Sequence, residues 1–157
     1  MAQALQRHTA QVPLSYAQQQ MWALYELDRQ SPAYSSPTVE WLEGMLDTEL
    51  MLEAIRWLGC AQHSLRTRYG YDGVTGEPAQ WAVSVESLDL AMQLYDVDCL
   101  GDAQLLLGEE LSTPHELEHG ALRVLLATVQ GPVYLLVLNT HHIATDGVSH
   151  GVTAAQL

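Results

Sequence analysis

A pair of adjacent histidines is the clearest reactive pattern in the chain. His141 and His142 come shortly after an apolar run, Val133–Leu138, and three residues later the chain continues with Asp146 and Gly147. A neutral imidazole near pH 7 can accept the proton of an amine or hydroxyl that attacks a thioester carbonyl. Asp146 could orient the ring or pair with an arginine, and Gly147 would let the backbone turn sharply beside a ligand. The pattern predicts acyl-transfer chemistry.

The two histidines are expected to differ in role. Adjacent residues of a strand point to opposite faces of a sheet, so only one ring can face a given cleft while the other is directed inward. A metal site built from both histidines and Asp146 is awkward for the same reason, although His and Asp are common ligands. An Asp before Gly commonly bonds its own backbone, so we expect Asp146 to hold the loop and assign it no general-base role.

The elements that must position this pattern follow from hydrophobic periodicity and from turn residues. Helices are predicted from Ser15 to about Asp28, from Asp47 through Leu58, from about Asp102 to Leu111, and after Val148. Strands are predicted over 38–42, 65–71, 78–83, 121–129 and 133–138, with a hairpin turn at 72–76. These elements predict an α/β fold in which helices pack against a mixed β-sheet.

Composition indicates one globular domain that does not bind polyanions. The 157 residues are 48% hydrophobic, and 19 acidic residues stand against six arginines and no lysine, which gives a formal net charge of −13. Nucleic acids and anionic membranes attract clustered Lys and Arg, so we expect neither as a partner. No segment approaches the ~18 apolar residues of a membrane span, and we expect a cytoplasmic location.

Four sequence blocks carry a family resemblance. In order they are Ser15–Leu24, Leu65–Thr67, Pro114–Arg123 and Thr140–Ser149, and the last contains the pattern His-His-x-x-x-Asp-Gly. In order and spacing they resemble motifs of nonribosomal peptide synthetase condensation domains, which belong to the HHxxxDG acyltransferase superfamily. The first block is similar to the opening helix motif, the second to the end of the second motif, and the third to the Pro-Phe-Asp-Leu segment.

The resemblance implies a fold and a division of the chain. The fold would be similar to chloramphenicol acetyltransferase, in which two lobes form a V around a tunnel that holds the active site. Residues 13–157 would form the N-terminal lobe after a polar leader at residues 1–12. The C-terminal lobe, which supplies the other wall of the tunnel, would be absent from the chain.

The same resemblance assigns roles around the histidine pair. It implies that His142 is the catalytic histidine and that Asp146 pairs with Arg66 for structure. His141 and Gly147 would support the site, the former with its ring hydrogen-bonded inside the protein. The reaction would be amide formation between an acyl or peptidyl thioester and an aminoacyl acceptor, each on the phosphopantetheine arm of a carrier protein. No cofactor or metal bound by this chain is implied.

Several residues depart from the family's pattern. Gln20 stands where the opening motif usually has a charged residue, and His115 stands in place of the Phe of the third block. The segment Ala61–His63 replaces an Arg-His-Glu, and Val148 replaces an aromatic residue. Five histidines lack a patterned partner and are expected to be surface or hydrogen-bonded residues: His8, His63, His115, His119 and His150. The four tryptophans are expected in the core.

Three functions are consistent with these observations. The chain could be half of an amide-forming catalyst, a truncated condensation-like docking or assembly module without activity, or part of a free-standing alcohol or CoA acyltransferase. Whether it is an enzyme by itself is open, because a lone histidine on an open surface lacks the positioning on which acyl transfer depends. We expect the isolated chain to be inactive. Its partners would be carrier proteins, the missing lobe, neighbouring synthetase domains or a second copy of itself.

Overall fold

Three α-helices and seven strands make up the part of the chain that the computed structural model describes, residues 10–85 and 91–145. The helices are α1 (Tyr16–Leu27), α2 (Thr48–Ala61) and α3 (Leu100–Ser112). The strands are β1 (Val12–Pro13), β2 (Ser35–Glu43), β3 (Thr67–Tyr71), β4 (Pro78–Ala82), β5 (Ala91–Asp96), β6 (Leu122–Val129) and β7 (Val133–His141). A short 3-10 helix, His63–Arg66, leads directly into β3.

Side-chain caps fix the starts of the first two helices. At α1 the Ser15 hydroxyl accepts the Gln18 N–H at 3.3 Å, and the Gln18 side chain accepts the Ser15 N–H at 2.9 Å, which is a capping box. At α2 the Asp47 carboxylate accepts the Leu50 N–H at 3.0 Å. Both predicted starts are confirmed. The third helix begins at Leu100, two residues before the predicted Asp102.

Two sheets are present among the described residues. The larger has the strand order β2-β7-β6-β5, with β5 parallel to β6 and the other pairs antiparallel. The crossover from β5 to β6 runs through α3. The smaller has the order β1-β4-β3, and its β3–β4 hairpin was predicted. The mixed sheet with packed helices confirms the predicted α/β fold class.

Alternating side chains place a helix on each face of the larger sheet. Ile55 and Leu58 of α2 pack on one face, which is lined by Leu122, Val124, Leu126, Leu136 and Leu138. Ala103 of α3 packs on the other face, which is lined by Leu125, Ala127, Val129, Leu135 and Val137. Because β6 and β7 are covered on both sides, they read as continuous apolar runs in the sequence.

The first helix packs near the end of β7. Its Trp22 and Tyr25 form a third apolar cluster with Tyr69, Leu117 and Ile143, together with Leu14 and Ala121. This cluster joins α1 and β3 to the turn that follows β7, and so connects the two sheets at the histidine pair.

Some sequence predictions differ from the structure. Leu65 and Arg66 belong to the 3-10 helix and not to a strand, whereas β2 is longer than the predicted 38–42 and runs from Ser35 to Glu43. The helix predicted after Val148 lies outside the described residues. No helix within residues 10–85 and 91–145 is long and apolar enough to cross a membrane.

Candidate active site at the end of strand β7

The histidine pair lies where β7 leaves the sheet. His141 is the last residue of the strand and pairs with Ser35 of β2, and the next amide, that of His142, donates to the Tyr34 carbonyl at 2.9 Å. The side chain of His141 is buried and His142 is exposed. The two residues therefore present their rings to different surroundings, as expected for adjacent residues of a strand.

His141 is enclosed by aromatic rings. The ring centroids of Tyr25, Tyr34 and His115 lie 6.2, 6.2 and 5.6 Å from that of His141. The Nδ1 atom of His141 accepts the backbone N–H of Ile143 at 3.1 Å. Burial, together with the neighbouring His142, lowers the pKa of His141 to about 4. The ring is accordingly neutral near pH 7 and serves as an acceptor for the turn behind it.

The turn that follows β7 is held at several atoms. The Ala144 N–H donates to the His141 carbonyl at 3.0 Å, which closes a tight turn around His142 and Ile143. The Ile143 carbonyl accepts from the Tyr69 hydroxyl at 3.4 Å and from the Gln18 side chain at 3.5 Å. Burial raises the pKa of Tyr69, so its hydroxyl stays protonated and able to donate. Contacts from α1 and β3 therefore fix the backbone that presents His142.

A reciprocal amide pair supports this anchor. The side chains of Gln18 and Gln80 exchange hydrogen bonds of 2.9 and 2.8 Å. Gln18 thus contacts the helix cap, the β4 strand and the turn after β7. Gln18, Gln80 and Tyr69 were not predicted as site residues. Only the place of Gln18 inside the opening motif signalled its involvement.

A buried polar network lies beneath His141 on the α3 side of the sheet. The buried Glu110 forms an ion pair of 2.9 Å with the half-buried Arg123, and the Asn139 side-chain amide donates to the same carboxylate at 2.8 Å. The Asn139 carbonyl oxygen lies 3.4 Å from the Nε2 atom of His115. His115 is 3% exposed, and its Nδ1 atom has no hydrogen-bond partner among the described residues.

Arg66 is buried at the end of the 3-10 helix, directly before β3. One of its terminal nitrogens donates to the Val83 carbonyl, and the Val83 N–H returns a bond of 2.9 Å to the Arg66 carbonyl. The Nε atom is buried without a partner among the described residues. Asp146, the predicted partner of Arg66, lies outside those residues, as does Gly147. The pairing of Arg66 with Asp146 and the roles of all five predicted site residues stay predictions.

A cleft of about 440 Å³ opens beside His115. Its walls come from the end of α1 and from the segment after α3, and among the described residues they include Tyr25, Arg29, Pro114, His115 and Glu118. His142 does not line this cleft. Within residues 10–85 and 91–145 no group of three or more His, Cys, Asp or Glu side chains could hold a metal ion.

Comparison with known sequences places this geometry in a family. Residues 8–157 match the family described as Condensation domain. Over 146 residues the chain is 34% identical to surfactin synthase subunit 2 of Bacillus subtilis (strain 168), which covers 92% of this chain and 4% of that protein. It is 32% identical over 157 residues to the isonitrile lipopeptide synthase of Mycobacterium tuberculosis (strain ATCC 25618 / H37Rv), covering 98% and 6%. The chain therefore spans a small part of these relatives.

Solved structures agree on the fold. The first condensation domain of the calcium-dependent antibiotic synthetase, in complex with a substrate analogue, superposes with a TM-score of 0.81 at 24% identity and covers 94% of this chain and 36% of that one. The starter condensation domain of rhizomide synthetase RzmA gives a TM-score of 0.82 at 20% identity, covering 94% and 38%. With the family matched from residue 8 to residue 157, this chain belongs to the condensation domain family of nonribosomal peptide synthetases.

Proposed function

We propose that this chain contributes the histidine-bearing lobe of an amide-forming condensation catalyst. The donor would be an acyl or peptidyl thioester and the acceptor an aminoacyl group, each carried on the phosphopantetheine arm of a carrier protein. The observation that carries the proposal is the exposed His142 on a backbone that is fixed from both sides. It follows a strand residue paired to β2 and precedes Ile143, which Tyr69 and Gln18 hold.

The proposed chemistry needs only proton transfer and acyl exchange. The acceptor nitrogen attacks the thioester carbonyl and forms the new C–N bond while its proton passes to the His142 imidazole. The C–S bond then breaks, and the leaving thiolate of the donor arm takes up a proton. Nothing is oxidised or reduced. The amide product stays on the acceptor arm.

Most of the acceleration in such a reaction comes from positioning the two substrates and from fixed donors at the carbonyl oxygen. The condensation domains to which this chain is similar are longer, since the chain covers 36% and 38% of the two compared above. We propose that polypeptide beyond this lobe supplies the opposite wall of the substrate channel. His142 would then be enclosed only in the complete domain.

The test is the variant His142→Ala in the complete condensation domain with carrier-bound substrates. We expect amide formation to fall by at least ~10²-fold, the usual contribution of a general base, while the melting temperature stays close to the parent's because the ring is exposed in this chain and is not part of its core. His119→Ala is the matched control, because His119 is 80% exposed and pairs only with Glu116 among the described residues. Full turnover by His142→Ala would contradict the assignment.

The same experiment separates the catalytic proposal from the docking alternative. A non-catalytic assembly module forms no amide even when the complete domain carries every native residue. The catalyst forms the amide and loses it on substitution of His142 alone.

A further inference from the structure

His115 is a departure from the family pattern that the proposed mechanism does not use. It stands where the third sequence block resembles a Pro-Phe-Asp-Leu segment, and it is buried at 3% exposure against the ring of His141. A buried imidazole has two nitrogens that each require a role as donor or acceptor. The surroundings of His115 determine which role each nitrogen takes.

The donor and acceptor of each hydrogen bond in this network follow from the ion pair between Glu110 and Arg123. The Glu110 carboxylate can only accept, and it accepts from Arg123 at 2.9 Å and from Asn139 at 2.8 Å. The nitrogen of the Asn139 amide must therefore point toward Glu110, which leaves its oxygen toward His115. That oxygen is also only an acceptor, so the Nε2 atom of His115, 3.4 Å away, has to carry the proton.

The same reasoning sets the state of His141. Its Nδ1 atom accepts the Ile143 N–H and carries no proton, so the neutral ring is protonated at Nε2. The rings of His115 and His141 stand nearly perpendicular, at an interplanar angle of 81°. Two neutral imidazoles of the same tautomer therefore lie in edge contact between the buried network and the turn that presents His142.

We infer that His115 is a positioning residue: through its Nε2–H bond to Asn139 and its contact with His141, it holds the ring that fixes the turn of residues 141–144. Through that turn it sets the position of the His142 imidazole. This inference rests on the proposed function only for its consequence in catalysis. Its structural part concerns the described residues alone.

Burial supports the neutral state of both rings. Burial first, and then the charge of Arg123 and the neighbouring His141, lowers the pKa of His115 to about 3. A proton added at Nδ1 of His115 would have no acceptor among the described residues. A proton added at Nδ1 of His141 would face the Ile143 N–H. Protonation would therefore break the bond from Ile143 to His141, and in His115 it would bury an N–H that has no acceptor among the described residues.

The test compares two substitutions of similar size in the whole chain. The Gln side-chain amide nitrogen reaches roughly the place of Nε2 in His, whereas that of Asn reaches the place of Nδ1. We expect His115→Asn to speed hydrogen exchange of the Ile143 amide by about tenfold, the factor for loss of one typical hydrogen bond. His115→Gln should keep the parent rate. The Leu58 amide in α2 is the internal control and should not change in either variant.

Equal exchange at Ile143 in the parent and in His115→Asn would overturn the inference, and so would equal acceleration at Ile143 and Leu58, which indicates general destabilisation. If the Asn variant does not fold, ring nitrogen-15 spectra of the unsubstituted chain decide. Protonated Nε2 in both histidines supports the inference. A protonated Nδ1 in His115 or in His141 overturns it.

Activity of the complete domain tests the consequence for His142. We expect His115→Asn to lower kcat by about tenfold at unchanged KM, and His115→Gln to restore it, because only the placement of the base is altered. Full activity of the Asn variant despite faster exchange would overturn the link from the turn to His142. Absence of amide formation in the unsubstituted complete domain would refute the proposed function instead, while the exchange experiment still decides whether His115 positions the turn.

Discussion

Two histidines that are neighbours in sequence have opposite physical situations here. His141 is buried beside the rings of Tyr25, Tyr34 and His115 and accepts a hydrogen bond from its own turn, while His142 is exposed. A ring whose Nδ1 atom is an acceptor in the fold loses that bond when it is protonated. Burial keeps the rings of both His141 and His115 neutral, so the pH dependence of stability should report on these two residues.

The two buried histidines predict a steep loss of stability in mild acid. The unfolded chain binds protons at these residues below about pH 6.5, whereas in the folded protein the pKa values are about 3 for His115 and about 4 for His141. The unfolded state therefore binds more protons as the pH falls from about 6.5 toward 4. Each histidine lowers the free energy of unfolding by up to about 1.4 kcal/mol per pH unit in this window.

Urea unfolding at pH 7, 6 and 5 measures this slope. His115→Phe keeps an aromatic ring in the same place and should reduce the slope by about 1.4 kcal/mol per pH unit between pH 6 and pH 5. Met45→Phe, at a residue that is 99% exposed and carries no titratable group, should keep the parent slope. Identical slopes for His115→Phe and the parent protein would show that His115 is not a neutral buried ring.

His141 is predicted to stabilise the turn through its acceptor atom. His141→Ala removes a buried ring and leaves the Ile143 N–H without its acceptor, so we expect a loss of about 2–4 kcal/mol in the free energy of unfolding. His141→Asn should lose about 1 kcal/mol less, because an Asn oxygen readily accepts the N–H two residues on. Thermal and urea unfolding of both variants measure the difference, and an Ala variant with the parent melting temperature would contradict the role.

Some features of the residues at this site could be predicted from the sequence and others could not. That one ring of the pair would be buried and the other exposed was predicted from strand alternation, which needs only the adjacency of His141 and His142, and their burial agrees with it. The burial of His115 was not predicted. Its partners Asn139 and Glu110 come close to it only through folding, and their spacing in the sequence does not indicate a contact. The resemblance of this block to a Pro-Phe-Asp-Leu segment was the available signal, since it implies a site for a ring at residue 115.

At the scale of elements, helix starts that depend on neighbouring residues could be predicted from the sequence, whereas strand pairing between distant residues could not. Ser15 and Asp47 cap their helices within three residues of themselves, so those starts could be read directly. The parallel strand β5 was missed, because its pairing with β6 depends on a crossover through α3. The residues Leu65 and Arg66 formed a 3-10 helix where a strand was expected, because they connect α2 to β3 without a loop.

The junction between the 3-10 helix and β3 carries the prediction on Arg66 and Asp146. Arg66 is 9% exposed, and breaking a buried ion pair by removing one partner costs about 3 kcal/mol. We expect Arg66→Ala and Asp146→Ala each to lower the free energy of unfolding by about that amount. The double variant should lose clearly less than the sum of the two, which urea unfolding can measure.

Arg68→Ala is the matched control for this cycle, since Arg68 is a half-buried arginine on β3. Combined with Asp146→Ala it should give an additive loss. Simple additivity for Arg66 as well would show that Arg66 and Asp146 do not interact.

At the scale of the whole molecule, several large apolar side chains of this chain are exposed. Trp22 is buried as expected, but the expectation was wrong for Trp41 and Trp57, which are 41% and 61% exposed. Trp57 lies on the side of α2 that faces away from Ile55 and Leu58, and Leu50, seven residues earlier on that side, is 62% exposed. Hydrophobic periodicity identifies the face of α2 that meets the sheet, but it does not show whether apolar residues on the other face are buried or exposed.

The isolated chain is expected to self-associate. Exposed apolar faces of this kind favour association, while a net charge of −13 opposes it by repulsion between copies. Salt screens that repulsion, with a Debye length of about 8 Å at 0.15 M. Sedimentation velocity should therefore show association that grows with protein concentration and with salt. Leu50→Gln with Trp57→Gln should weaken it, whereas Val74→Gln, at an isolated turn residue that is 96% exposed, should not.

Because we propose that one wall of the substrate channel lies outside this chain, the same preparation should form no measurable amide from carrier-bound substrates. A strictly monomeric chain that does form amide bonds would mean that this single lobe builds a complete active site around His142.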